Sequence, residues 1–148
     1  MSDIAPLLAD LARLPQVSPE ILSEIELMTP QMLAHLDAML THHPELAALP
    51  MPRGPLDCRR TLRQIASGFL AALHSGHGVR LIAWAGHTLA TQRAMGFLPE
   101  HWRIEIECTL SLIDQNLSPE AAAVLRPLLV WILRHLGALE EAAACEAA

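Results

Sequence analysis

A glycine–proline corner between two apolar segments constrains the fold of this chain more than any other feature. The corner, Gly96-Phe97-Leu98-Pro99, lies inside the stretch Leu89–Ile113. Before it, Val79–Met95 is helical by composition, and a glycine just after the last helical residue is a typical helix end. After it comes a second long apolar segment. We expect the rest of the chain to be helix packed around this turn.

The segment after the corner has two possible structures. Arg103–Leu112 alternates polar and apolar residues at every step, which is the local pattern of a half-buried strand. A single strand would have no partner in this chain. As a helix, the segment has two apolar stripes, as a helix lying between two others requires: Ile104, Cys108 and Leu112, and Trp102, Ile106, Leu110 and Ile113. We predict a helix, in which Glu105 and Glu107 diverge and form no acid/base pair.

The other segments also have helical spacing, and prolines mark where several of them begin. Ser18-Pro19 and Ser118-Pro119 combine a hydroxyl N-cap with a proline at the first helical position, and Thr29-Pro30 repeats the pattern. The expected helices are 4–14, one from 18, one from 29 to about 43, 57 to about 73, 79–95, the segment after the corner, and 118–136. Residues 50–55 are expected to form a loop, and residues 140–148 to fray.

Composition limits the kind of protein. The 148 residues fit one domain with its own core, so we predict a single domain over residues 1–148. Sixteen acids against ten arginines give a net charge of −6, which disfavours nucleic acid and anionic membranes as partners. No apolar run has the length of a membrane span. Cys58, Cys108 and Cys145 lack metal-site or disulfide spacing, which favours a reducing cytoplasm.

Two blocks of the sequence resemble the bacterial globin family. Residues 95–102, MGFLPEHW, resemble the turn after the haem-bearing helix of bacterial globins and flavohaemoglobin globin domains, where a glycine corner leads through Pro-Glu-x-aromatic into the next helix. Residues 34–46, AHLDAMLTHHPEL, resemble the family's second helix and the corner that follows it. The resemblance covers roughly residues 29–136. It implies an all-α, globin-like fold and a helix after the corner.

The haem-binding residues of that family are replaced in this chain. The resemblance puts Gln92 at the position of the proximal histidine, and a carboxamide is a poor iron ligand. On a helical wheel, Leu89 and Gln92 point to the same side, whereas His87 points almost the opposite way. His87 is therefore either a surface histidine or a shifted iron ligand, and it is our candidate metal ligand.

The other pocket positions implied by the resemblance also differ from the family. Leu36 stands where a distal tyrosine is common, Cys58 where a glutamine or histidine is usual, and Leu62 one turn later. Trp102 replaces a proximal tyrosine. The candidate cofactor-binding or pocket residues are Leu36, Cys58, Leu62, His87, Leu89, Gln92 and Trp102.

The resemblance implies a sensor or regulatory globin-family domain with a degenerate haem pocket, and no enzyme. Such a domain acts by protein interaction or by binding an apolar small molecule, with no cofactor. We expect a homodimer through the last two long helices, with Leu128 and Trp131 as contacts. The alternative is a globin that binds haem b through a histidine such as His87, and through it a diatomic gas (O₂, NO or CO).

Overall fold

The computed structural model describes the backbone of residues 4–50 and 58–147 and the side chains of residues 4–50 and 61–144. Within these residues there are eight α-helices and no β-strand, which confirms the all-α prediction. The helices are α1 Ala5–Arg13, α2 Pro19–Thr41, α3 Pro44–Ala48, α4 Cys58–Leu73, α5 Val79–Met95, α6 Pro99–Asn116, α7 Pro119–Arg134 and α8 Leu136–Ala147. The predicted loop 50–55 lies mostly outside the described residues, as does the start expected at Asp57.

The glycine–proline corner forms as the sequence predicted. Gly96 has φ +103°, a left-handed conformation that glycine adopts without a steric penalty. Its N–H donates to Arg93 O over 3.0 Å, and the Phe97 N–H donates to Gln92 O over 2.9 Å, which together cap α5. Pro99 then begins α6, and His101 Nδ1 accepts the Leu98 N–H over 2.9 Å. Both sides of the corner are thus held by local hydrogen bonds.

The segment with the strand-like pattern is helical. Arg103–Leu112 lies within α6, which packs against α2 on one side and α7 on another. Both predicted stripes are largely buried, including Ile104 and Ile113, which are almost inaccessible. The alternation arises because a helix between two neighbours buries two separate stripes, and their positions interleave along the sequence.

One helix start was predicted wrongly. Thr29-Pro30 does not begin a helix, because α2 runs without a break from Pro19 to Thr41. The Thr29 hydroxyl donates to Ile25 O over 2.6 Å, a mid-helix bond that replaces its expected role as an N-cap. Proline has no backbone N–H, so Pro30 cannot donate the usual helical hydrogen bond to the Glu26 carbonyl. Both residues are exposed, so that carbonyl can accept a hydrogen bond from water.

The C-terminal prediction was also wrong, because residues 140–147 continue a helix instead of fraying. α7 ends at Arg134, and α8 follows at an angle of 68° to it and packs against α5. Leu139 is fully buried, and Glu140 receives two hydrogen bonds of 2.8 Å from the Arg93 guanidinium. A Cβ on Gly86 would lie 2.5 Å from the Leu139 carbonyl oxygen, so α5 and α8 touch backbone to backbone.

Two residues chosen as dimer contacts lie inside the protein. Leu128 is 1% exposed and Trp131 is 7% exposed, and both belong to the main hydrophobic core. They were predicted wrongly as contacts because α7 is apolar on most sides and its outward face cannot be recognised from sequence. The homodimer stays a prediction, and it needs other contact residues.

In the described part of the chain, no single helix is long and apolar enough to cross a membrane. Only the bent pair formed by α7 and residues Leu136–Ala144 of α8 reaches that length together.

Candidate functional site

A small apolar cavity lies where α2, α4, α6 and α7 face one another, with Trp84 of α5 on one wall. Its volume is about 140 Å³. A dry apolar cavity of about 150 Å³ in another protein is known to bind benzene. We call this space the aromatic cavity. Its lining residues are Ile25, Thr29, Met32, Leu33, Leu36, Leu62, Ile65, Ala66, Phe69, Leu70, Trp84, Trp102, Glu105, Ile106, Thr109, Leu112, Leu125, Leu129 and Ile132.

Three of the chain's five aromatic residues line this cavity. The ring centroids of Phe69 and Trp84 are 5.3 Å apart, with planes inclined at 44°. The ring centroids of Trp84 and Trp102 are 6.3 Å apart, with planes inclined at 50°. Tilted rings at these distances attract one another. The three rings therefore form a continuous wall contributed by three helices.

The orientation of two of these rings is set by their neighbours. Trp102 Nε1 donates a hydrogen bond to the Gln92 side-chain oxygen, and both residues are buried. Trp84 lies against Gly68, where an added Cβ would be only 2.5 Å from the indole nitrogen. Gln92 thus acts in this fold as the hydrogen-bond acceptor that positions Trp102.

Glu105 is the one ionisable side chain lining the aromatic cavity among the described residues. It is partly buried, and its carboxyl group makes no hydrogen bond or ion pair within the part of the chain that the structure describes. Burial raises its pKa to about 7, because removal from water disfavours the charged form. Glu107 is exposed and instead accepts a 3.0 Å hydrogen bond from Arg103. The two glutamates diverge, as predicted.

The predicted pocket residues are divided between three places. Leu36, Leu62 and Trp102 line the aromatic cavity. Leu89, Gln92 and Trp102 line a second cavity of about 180 Å³ between α5, the corner and α8. His87 is exposed on a groove between α4 and α5. Cys58 begins α4, and its side chain lies outside the described part.

Haem b does not fit the residues around the aromatic cavity. Among the described residues, no histidine lines it, and His87 faces a groove elsewhere. Gln92 is buried as the helical wheel predicted, but its side-chain oxygen already accepts a hydrogen bond from Trp102. A volume of about 140 Å³ suits a molecule the size of benzene, which is much smaller than a porphyrin. The described residues also contain no group of three His, Cys, Asp or Glu side chains placed to hold a metal ion.

No family model, curated protein or solved structure matches this chain. The globin resemblance therefore depends on the sequence blocks alone, and the site must be interpreted from its own geometry.

Sequence reasoning missed Phe69, Trp84 and Glu105 as residues of one site. No motif in the sequence marks Phe69 or Trp84 as a site residue, and from the sequence Glu105 was considered only as a partner of Glu107. A signal for Glu105 was present, because Trp102, Glu105, Ile106 and Thr109 share the 3-and-4 spacing of one helical face. A carboxyl on an otherwise apolar helical stripe is the pattern that could have identified it.

Proposed function

We propose that this chain is a globin-like sensor or regulatory domain of the cytoplasm that takes a small apolar molecule in place of haem. The observation that carries the proposal is the aromatic cavity, which has a benzene-sized volume and almost entirely apolar walls. The confirmed corner at Gly96 supports the globin-like part of the proposal. The hydrogen bond from Trp102 to Gln92 supports the absence of an iron ligand at the position that the resemblance makes proximal.

The position of the cavity supports a sensory role. Five helices contribute to its walls, so a bound molecule would contact α2, α4, α5, α6 and α7 at once. Filling an apolar void restores dispersion contacts that the lining atoms otherwise lack. A ligand that binds only the folded chain raises its stability by RT ln(1 + [L]/Kd). Ligand binding would thereby be converted into tighter packing of helices, which a partner protein could recognise.

Toluene is a suitable probe of the proposed function. We expect toluene to raise the thermal unfolding midpoint of the wild-type chain by a few degrees and to shift the indole N–H resonances of Trp84 and Trp102. Ala66→Leu places a larger side chain in the cavity and should abolish both effects. Ala71→Leu is the matched control, because Ala71 is exposed on the same helix and the variant should respond like the wild type.

Unfolding midpoints measured without toluene show whether each variant folds. A wild-type chain that does not respond to toluene, or an Ala66→Leu variant that responds fully, would contradict the proposal.

An absorption spectrum distinguishes the haem-binding alternative. We expect the chain expressed with haem supplied to show no Soret band. A Soret band that disappears in His87→Ala but persists in Gln92→Ala would replace the proposal with a haem-binding globin.

A further inference from the structure

The aromatic cavity combines two features that apolar ligands do not require. Phe69, Trp84 and Trp102 line the same space with their rings in contact, and Glu105, which carries a carboxyl group, lines it too. The face of an aromatic ring carries negative potential and attracts a cation within about 6 Å of its centre. A carboxylate attracts the same cation. Both features therefore favour a positively charged group.

Among the described residues that line the cavity, none carries a counter-charge for the carboxyl group of Glu105. The residues that α2, α4, α5 and α7 contribute to the cavity wall are all uncharged, and none of those described is an arginine or histidine. On α6 itself, Glu105 interacts with Cys108, because the pKa of that thiol is raised by burial and by the charges of Glu107 and Glu105. A buried carboxylate without a partner is costly, and an entering cation would remove that cost.

We propose that the aromatic cavity is a site for a small organic ammonium ion, held by the rings of Phe69, Trp84 and Trp102 and by the Glu105 carboxylate. The inference rests on the proposed function, because it requires that a small molecule enters this cavity, and it adds one charged group to a ligand that is otherwise apolar. The alkyl part of the ligand would pack against the leucine and isoleucine side chains of the wall. Its ammonium group would lie between the rings and the carboxylate.

The binding should depend on pH through Glu105. The ammonium ion binds the ionised carboxylate, and Glu105 is mostly protonated below its pKa of about 7. Alkylamines keep their charge up to about pH 10, like the lysine side chain. Lowering the pH from 8 to 6 therefore decreases the ionised fraction of Glu105 and should weaken amine binding about tenfold. A neutral ligand of the same shape should show no such loss.

The test compares isobutylamine with isobutanol, which have the same number of heavy atoms and differ in charge. Binding is measured by titration of the tryptophan indole N–H resonances at pH 8. We expect isobutylamine to bind at least tenfold more tightly than isobutanol. Glu105→Gln should remove this preference while toluene still binds. Glu107→Gln is the matched control on the same helix, and it should keep the preference because Glu107 is exposed.

A second variant tests the rings. Trp84→Leu should weaken isobutylamine binding more than toluene binding, since the leucine keeps an apolar surface and removes the ring face. Circular dichroism and the unfolding midpoint establish that each variant is folded.

The outcomes separate the two proposals. Equal affinity for isobutylamine and isobutanol in a chain that binds toluene would overturn the ammonium site and leave the apolar site intact. An amine preference that survives in Glu105→Gln would also overturn it. A chain that binds none of the three probes contradicts both proposals.

Discussion

Glu105 lowers the stability of the protein at neutral and alkaline pH. Its pKa rises from 4.5 to about 7 on folding, so between these values the folded chain binds more protons than the unfolded chain. The free energy of unfolding therefore decreases as the pH rises through that interval, and the decrease due to Glu105 is complete above pH 7. A shift of this size corresponds to about 3 kcal/mol.

Glu105→Gln should remove this pH dependence, because its side chain has the same shape and no charge. Relative to the wild type, we expect the variant to gain about 2–3 kcal/mol more stability at pH 8 than at pH 4. Urea unfolding at the two pH values measures the difference. Glu107→Gln serves as the control. A gain that is the same at both pH values would show that Glu105 is not held in an apolar environment.

Gln92 has a structural role at the position where the resemblance expects an iron ligand. Gln92→Leu removes the acceptor of the Trp102 indole N–H and leaves a buried donor unpaired. We expect a loss of about 1–3 kcal/mol in the free energy of unfolding, together with a changed tryptophan fluorescence spectrum. Gln115→Leu, at an exposed position of α6, should have little effect on either. An unchanged spectrum in Gln92→Leu would contradict the positioning role.

At the scale of single helices, α8 depends on close contact with α5. Gly86→Ala would bring a methyl group to 2.5 Å from the Leu139 carbonyl and 2.8 Å from the Ala143 Cβ. Relieving this clash requires the backbone of α8 to move. We therefore expect the free energy of unfolding to fall by about 1–3 kcal/mol, although alanine has a better helix propensity than glycine. Gly137→Ala is the control, because an added Cβ there meets nothing within 4 Å, and it should stabilise the chain by up to about 1 kcal/mol.

Hydrogen exchange locates the effect of Gly86→Ala. We expect faster exchange of the α8 amides than of the α6 amides. Equal protection of the two helices would show that α8 does not rely on this contact.

At the scale of the whole molecule, Glu24 joins the first half of the chain to the second. Its carboxylate accepts the Ser118 N–H over 2.7 Å and the Ser118 hydroxyl over 2.6 Å, so it ties α2 to the start of α7. These hydrogen bonds lower the pKa of Glu24. A lowered pKa contributes stability above the unfolded value of 4.5, and that stability is lost as the pH falls through the folded value.

A double-mutant cycle of Glu24→Gln and Ser118→Ala measures this connection. We expect a favourable coupling energy at pH 7 that decreases as the pH falls through the lowered pKa of Glu24, since protonation removes the carboxylate. The cycle separates this coupling from the loss of the α7 N-cap, because Ser118 Oγ also accepts the Ala121 N–H. Absence of coupling at pH 7 would show that the hydrogen bond from the Ser118 hydroxyl to Glu24 contributes nothing in solution.

Local sequence signals predicted the parts of the fold that depend on a few neighbouring residues. Gly96 ends α5 because a left-handed residue closes the last turn, and Ser118-Pro119 begins α7 because a hydroxyl can cap the N–H groups there. The same reasoning failed at Thr29-Pro30, where the hydroxyl bonds to the preceding turn. A local signal shows which hydrogen bonds are available, and the packing of the helix decides which ones form.

The sequence by itself determined that the chain is helical, where the corner lies and that Gln92 points inward, since periodicity and capping act over a few residues. Only the tertiary structure decided that α8 packs on α5 and that Leu128 and Trp131 are buried. It also decided that Phe69, Trp84 and Glu105 meet at one cavity. These residues lie on three different helices, so their contact depends on how the helices pack. Periodicity within one segment carries no information about that packing.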